Sequence, residues 1–102
     1  MIVSTCGTSA GTIHLAAAGE VDLGTVDDLT MALARAISTE GAVAIVIDFS
    51  EVTFCDSSGL HALDRAYHEA HVRGLVFRLT NPQHNVRRLL EVTGLAEQLT
   101  GS

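Results

Sequence analysis

The run Ala42-Val43-Ala44-Ile45-Val46-Ile47 has no polar interruption, and after Asp48-Phe49-Ser50 the apolar residues Leu60, Leu63, Tyr67 and Ala70 recur at helical spacing. The first pattern predicts a buried strand over 42–49, and the second an amphipathic helix over about 58–73. A second apolar strand, Leu75 to Thr80, follows Gly74, which suits a left-handed helix end. Two strands joined through a helix pair parallel by a right-handed crossover. The chain is thereby confined to an α/β sheet whose central strand is covered on both faces or flanked by parallel neighbours.

The remaining elements build on that unit. Segments 2–6 and 12–18 read as antiparallel strands, with Gly7 to Gly11 as the turn of an N-terminal hairpin. Gly19-Glu20-Val21-Asp22 forms a loop, after which Thr25 is the expected N-cap, with Asp28 three residues on. Val26, Leu29, Leu33, Ala36 and Ile37 line the following helix until Gly41. Near the C-terminus Asn81 suits an N-cap and Pro82 a first helical position, opening a helix that Gly94 ends. The expected fold is one domain over 1–102, with a mixed sheet of about four or five strands, the antiparallel hairpin at one edge, and packed helices. Loops beyond the carboxyl ends of parallel strands are where α/β proteins place their sites. The 19–22 and 56–59 loops should therefore be neighbours.

At Asp56-Ser57-Ser58-Gly59-Leu60 two hydroxyls and a glycine lie where strand gives way to helix. Free N–H groups and the helix dipole favour an anion there, so a phosphoryl group on Ser57 would be held without unfolding the helix. Taken alone, Asp56-Ser57-Ser58 reads as ordinary helix capping before it reads as a site, with Ser58 a structural hydroxyl. Neither a Gly-x-Ser-x-Gly elbow nor a Gly-x-x-x-x-Gly-Lys phosphate loop is present, so an enzyme reading fares poorly and nucleotide chemistry must come from a partner.

Composition removes other classes. With 47% hydrophobic and 18% charged residues the chain reads as a folded globule. A net charge of −6 with only six Lys and Arg argues against direct nucleic-acid binding. The apolar runs are too short for membrane insertion and the N-terminus lacks a signal core, so the expected compartment is the cytoplasm. Cys6 and Cys55 form no metal or redox motif and read as reduced thiols at opposite ends of the sheet, out of bridging reach.

The order of Gly19-Glu20-Val21-Asp22, Asp48-Phe49-Ser50, Val52, Phe54, Asp56-Ser57-Ser58-Gly59-Leu60, Asn81-Pro82, Arg88-Leu89-Leu90 and Gly94-Leu95 resembles bacterial anti-sigma-factor antagonists. These are members of the STAS domain family, which shares its domain with sulphate transporters, and the resemblance covers almost the whole chain. It implies a transcription-regulating switch in stress responses rather than an enzyme, with no cofactor. Ser57 would be phosphorylated by an anti-sigma factor that is an ATP-dependent serine kinase. The unphosphorylated form would bind that partner and free the sigma factor; the phosphorylated form would be released until a phosphatase restores it. Asp22 would sit beside the serine, and Asp22, Asp56, Ser57, Ser58, Gly59 and His61 would form the partner surface. His61 is bulkier than the small residue often found there in the family.

Two other classes stay open on the residues: a phosphorylation-independent interaction module, such as a scaffold or transporter regulatory subunit, and a small-molecule or nucleotide-binding domain. His61, Asp64, His68 and His71 share a helix stripe that reads as a polar boundary before it reads as a metal site. Relatives in the resembled family often continue beyond Ala96-Glu97-Gln98-Leu99-Thr100, so the last layer is absent or compact here. An uncovered apolar face would favour self-association, and oligomeric state is left open.

Overall fold

The computed structural model describes residues 1–101. Strands β1 (Ile2–Ser9), β2 (Thr12–Val21), β3 (Ala44–Cys55) and β4 (Val76–Thr80) form one sheet in sequential order. Helices α1 (Val26–Ile37), α2 (Ser57–Val72), α3 (His84–Val92) and α4 (Ala96–Thr100) complete the chain. β1 pairs antiparallel with β2, while β3 lies parallel to both β2 and β4. This is the mixed α/β sheet with an N-terminal hairpin that the sequence implies.

The apolar patterning explains how the layers meet. Ile13, Leu15 and Ala17 of β2 are buried with Ile45, Ile47 and Phe49 of β3 and Phe77 and Leu79 of β4, whereas His14, Ser50 and Arg78 are exposed. Leu29 and Leu33 of α1, Leu63 and Ala70 of α2, Val86 and Leu90 of α3 and Leu99 of α4 join the same core. The helices therefore cover one face of the sheet. Of the two environments expected for β3, parallel neighbours on both sides is the one found.

Several boundaries move. β1 continues to Ser9, and the hairpin turns at Ala10-Gly11, both at positive φ (52° and 84°), the geometry of a two-residue turn that follows strand twist. β2 continues to Val21 and β3 to Cys55, because each supplies the other with a ladder partner up to Val21↔Cys55. Register shifts between Ala16/Ala18 and Gly19/Glu20 disturb the period-two pattern, which hides these strand ends in the sequence. Of the expected 19–22 loop, only Asp22 lies outside β2.

Asn81 and Pro82 do not open α3. Asn81 takes a left-handed φ of 55° and its side-chain amide donates to Asp48 Oδ1 at 3.3 Å, so the helix begins two residues after Pro82 with Gln83 at its cap. The amide of Gln83 donates to the Ser50 carbonyl and that of Asn85 to the Thr53 carbonyl, each at 2.9 Å. These two side chains serve β3 where it runs past the end of β4.

At Gly59, α2 packs directly against the ends of β2 and β3. A Cβ there would lie 2.6 Å from Cys55 Sγ and 2.7 Å from Val21 Cγ1, both on buried residues that cannot swing into solvent. Alanine has the better helix propensity by about 1 kcal/mol, but overpacking a filled site costs about 1–3 kcal/mol. Gly59→Ala is expected to lower the denaturant midpoint by the equivalent of about 1 kcal/mol or more. An unchanged or raised midpoint in urea unfolding followed by circular dichroism would contradict this account of the packing.

Candidate functional site

The site forms where β2 and β3 end side by side. Past the Val21↔Cys55 pair, the Asp56 N–H donates to the Val21 carbonyl at 3.1 Å, which ties the start of α2 to the end of β2. Asp22 and Asp56 thus leave adjacent strand ends although 34 positions separate them in the sequence. The expected neighbourhood of the two loops is found.

Asp56 is the N-cap of α2, in extended conformation at φ −107°, and its carboxylate accepts from the N–H groups of Ser58 (3.0 Å) and Gly59 (3.3 Å). The Ser58 hydroxyl donates to the same Oδ1. That hydroxyl bond, aided by the Gly59 and Ser58 N–H groups, outweighs desolvation and holds the Asp56 carboxyl below its ordinary pKa. The capping reading of Asp56 and the structural reading of Ser58 both hold in this geometry. Ser57 differs from Ser58: it is the first residue of α2, exposed, and its hydroxyl has no protein partner.

Asp22 turns inward on its own loop. Its Oδ1 accepts from the N–H groups of Gly24 at 2.9 Å and Thr25 at 3.1 Å, and its carbonyl accepts from Val26 N–H at 2.8 Å. Thr25 occupies the N-cap position of α1 but caps nothing with its side chain. Its hydroxyl instead donates to the Glu20 carbonyl at 2.8 Å and accepts from the Asp22 N–H at 3.0 Å. The expected Thr25 side-chain cap is therefore absent: its hydroxyl is engaged by the Asp22 turn, and the Asp28 N–H is met by the Thr25 carbonyl at 3.0 Å instead. The residue missed by sequence reasoning is Leu23, 81% exposed at the tip of this turn. Its signal is an apolar side chain between Asp22 and Gly24, in a loop with nothing for it to pack against.

His61 is exposed one turn into α2 and, with Leu23 and Ser58, lines one end of a groove of about 640 Å³ between α1 and α2. The groove floor is apolar, with Leu33, Ala62 and Ala66. Farther along α2, Asp64 Oδ1 accepts from the Gln98 amide at 2.9 Å and lies 3.3 Å from His68 Nε2, so its polar contacts tie α2 to α4. Under the site, burial first and the Asp56 charge second push the Cys55 thiol up to about 11. It is protonated at neutral pH. Both cysteines are free, Cys6 exposed and Cys55 buried.

Because the folded pKa of Asp56 is depressed, its stabilisation is complete above the unfolded value of about 3.9 and fades as pH falls through the folded value. Asp56→Ala should therefore unfold more easily than the parent at pH 7, and the gap should close as pH drops below about 4. Paired thermal melts across pH 2.5–7 check this. A gap that widens in acid would reverse the sign assigned to the cap.

The fold has known counterparts. The anti-sigma factor antagonist SpoIIAA in its unphosphorylated form superposes with a TM-score of 0.82 at 22% identity, covering 97% of this chain and 86% of that one. SpoIIAA of Bacillus in its phosphorylated form gives 0.75 at 21% identity, covering 97% and 89%. An anti-sigma factor antagonist from Mycobacterium paratuberculosis gives 0.82 at 26% identity, covering 96% and 83%. A sulfate transporter family protein from Wolinella succinogenes gives 0.77 at 21% identity, covering 93% and 76%. No helix among the described residues is long and apolar enough to cross a membrane. The family profile of the STAS domain matches residues 7–101, and with a match over nearly all of its length the chain belongs to the STAS domain family.

Proposed function

We propose that this protein is an anti-sigma-factor antagonist switched by phosphorylation of Ser57. The observation that carries the reading is the contrast between adjacent serines at the start of α2. Ser57 offers an exposed hydroxyl without a protein partner, whereas the Ser58 hydroxyl is committed to the Asp56 cap. Phosphorylating Ser58 would remove that bond; phosphorylating Ser57 leaves it in place. The partner surface is then made of the Asp22 turn, Asp56, Ser57, Ser58 and His61, while Gly59, expected there from the sequence, is buried beneath them.

The chain supplies a substrate hydroxyl and no catalytic group. The partner, an anti-sigma factor with serine kinase activity, holds ATP; Ser57 Oγ attacks the γ-phosphorus, ADP leaves, and the hydroxyl proton passes to a base of the partner. A phosphatase reverses the modification. The setting is the cytoplasm, and influence on transcription runs through the released sigma factor rather than through contact with nucleic acid.

The switch works by electrostatics and desolvation. Phosphate adds about −1.5 to −2 charges beside Asp56, on a chain already at −6. A partner surface shaped for a neutral hydroxyl cannot desolvate that group cheaply, while the N-terminus of α2 accommodates it in the free protein. A differential of about 3 kcal/mol shifts affinity roughly a hundredfold.

The similarity to a sulfate transporter family protein favours a second reading, a STAS module that binds its partner regardless of phosphorylation. The two separate on Ser57. With the antagonist's kinase partner and Mg-ATP, Ser57→Ala is expected to abolish phosphorylation and retain binding, and Ser58→Ala to be modified still. Ser57→Asp is expected to weaken binding by about tenfold, less than phosphate because a carboxylate carries less charge. Phosphopeptide mapping and calorimetry provide the readouts. Phosphate found on Ser58 alone, or equal affinities for the unmodified, phosphorylated and Ser57→Asp forms, would defeat the switch.

A further inference from the structure

The carboxylate of Asp22 is occupied within its own turn, by the N–H groups of Gly24 and Thr25. What the turn holds toward solvent is Leu23, 81% exposed, with the backbone on both sides of it tied by hydrogen bonds. Leu23, Ser58 and His61 border the same end of the groove between α1 and α2, and Ser57 directly precedes Ser58 in the first turn of α2. A protein that reaches the Ser57 hydroxyl from the groove side meets Leu23. With its backbone already ordered by the turn, Leu23 would have only its side-chain rotamers left to fix on being covered, and covering it would remove apolar surface from water.

We propose that Leu23 is the residue by which the kinase partner is selected, seating against an apolar side chain of the anti-sigma factor, and that Asp22 is a positioning residue that holds Leu23 in place. This deepens the phospho-switch reading and rests on it. The carboxylate charge of Asp22 is then dispensable while its hydrogen-bond acceptor is not. Asparagine keeps an acceptor oxygen at the same place; alanine does not. Val72 is similarly exposed (82%) but ends α2, on the far side of about 20 Å of helix, and is the matched control.

The experiment uses the full chain with each serine-kinase anti-sigma factor encoded in the source genome, purified separately and supplied with Mg-ATP, and reads kcat and KM for Ser57 phosphorylation. For the partner that modifies the parent, Leu23→Ser should raise KM by about tenfold with kcat within about twofold. Leu23→Met, Asp22→Asn and Val72→Ser should stay near the parent, and Asp22→Ala should follow Leu23→Ser. Unfolding midpoints for the Leu23 variants should not move, since the side chain is exposed.

A parental KM for Leu23→Ser overturns the proposal while leaving the phosphosite intact. So does an Asp22→Asn defect as large as that of Asp22→Ala, because the charge itself would then be the contact. If Leu23→Ser alters the sedimenting mass of the free protein and not its phosphorylation, Leu23 faces a second copy and the assignment to the kinase is wrong. Failure of every such kinase to modify or bind the parent removes the phospho-switch reading itself, and this proposal with it.

Discussion

The parallel pairing of β2 with β3 as far as Val21↔Cys55 is the contact on which the rest of the molecule depends. It brings the exits of two inner strands to one end of the sheet. The Asp56 N–H bond to Val21 then fixes where α2 starts, and Gly59 lets that start sink onto Cys55 and Val21. Interiors are packed densely enough that a single added carbon at such a contact shifts its surroundings. The position of Ser57 in space is thus set by buried atoms beneath it, although its own side chain touches none of them.

Some of this was legible in the sequence and some was not. The strand-helix joint at Asp56 to Gly59 was readable because capping is local chemistry: an aspartate followed by two serines and a glycine has few better uses at a helix start. The adjacency of the two loops was readable from topology. The length of β3 was not, since Ser50-Glu51 and Thr53-Phe54 place polar and apolar groups out of step with a two-residue period, and only the irregular ladder to β2 accounts for them. Asn81-Pro82 reads as a helix start by every local rule; the Asp48 carboxylate, distant in sequence, draws the Asn81 side chain away.

Asp22 illustrates a different limit. The motif marks it as belonging to the site, yet sequence gives no direction for a side chain. Whether a loop carboxylate faces a partner or folds back on its own N–H groups depends on the path of the turn, and here the turn claims it. Leu23 escaped notice for the complementary reason. Apolar periodicity identifies residues that help to build a core, and a lone leucine in a turn contributes to no such pattern.

The amides of Gln83 and Asn85 on the Ser50 and Thr53 carbonyls have a consequence for how this domain meets other chains. Beyond Thr80, β3 has outrun its outer neighbour, and a bare strand flank invites pairing from any extended peptide. Here two side chains occupy the places that a fifth strand's N–H groups would take. Traffic at the functional end of the sheet is thereby kept to side chains and helix surface: another molecule can dock there, but it cannot be woven in.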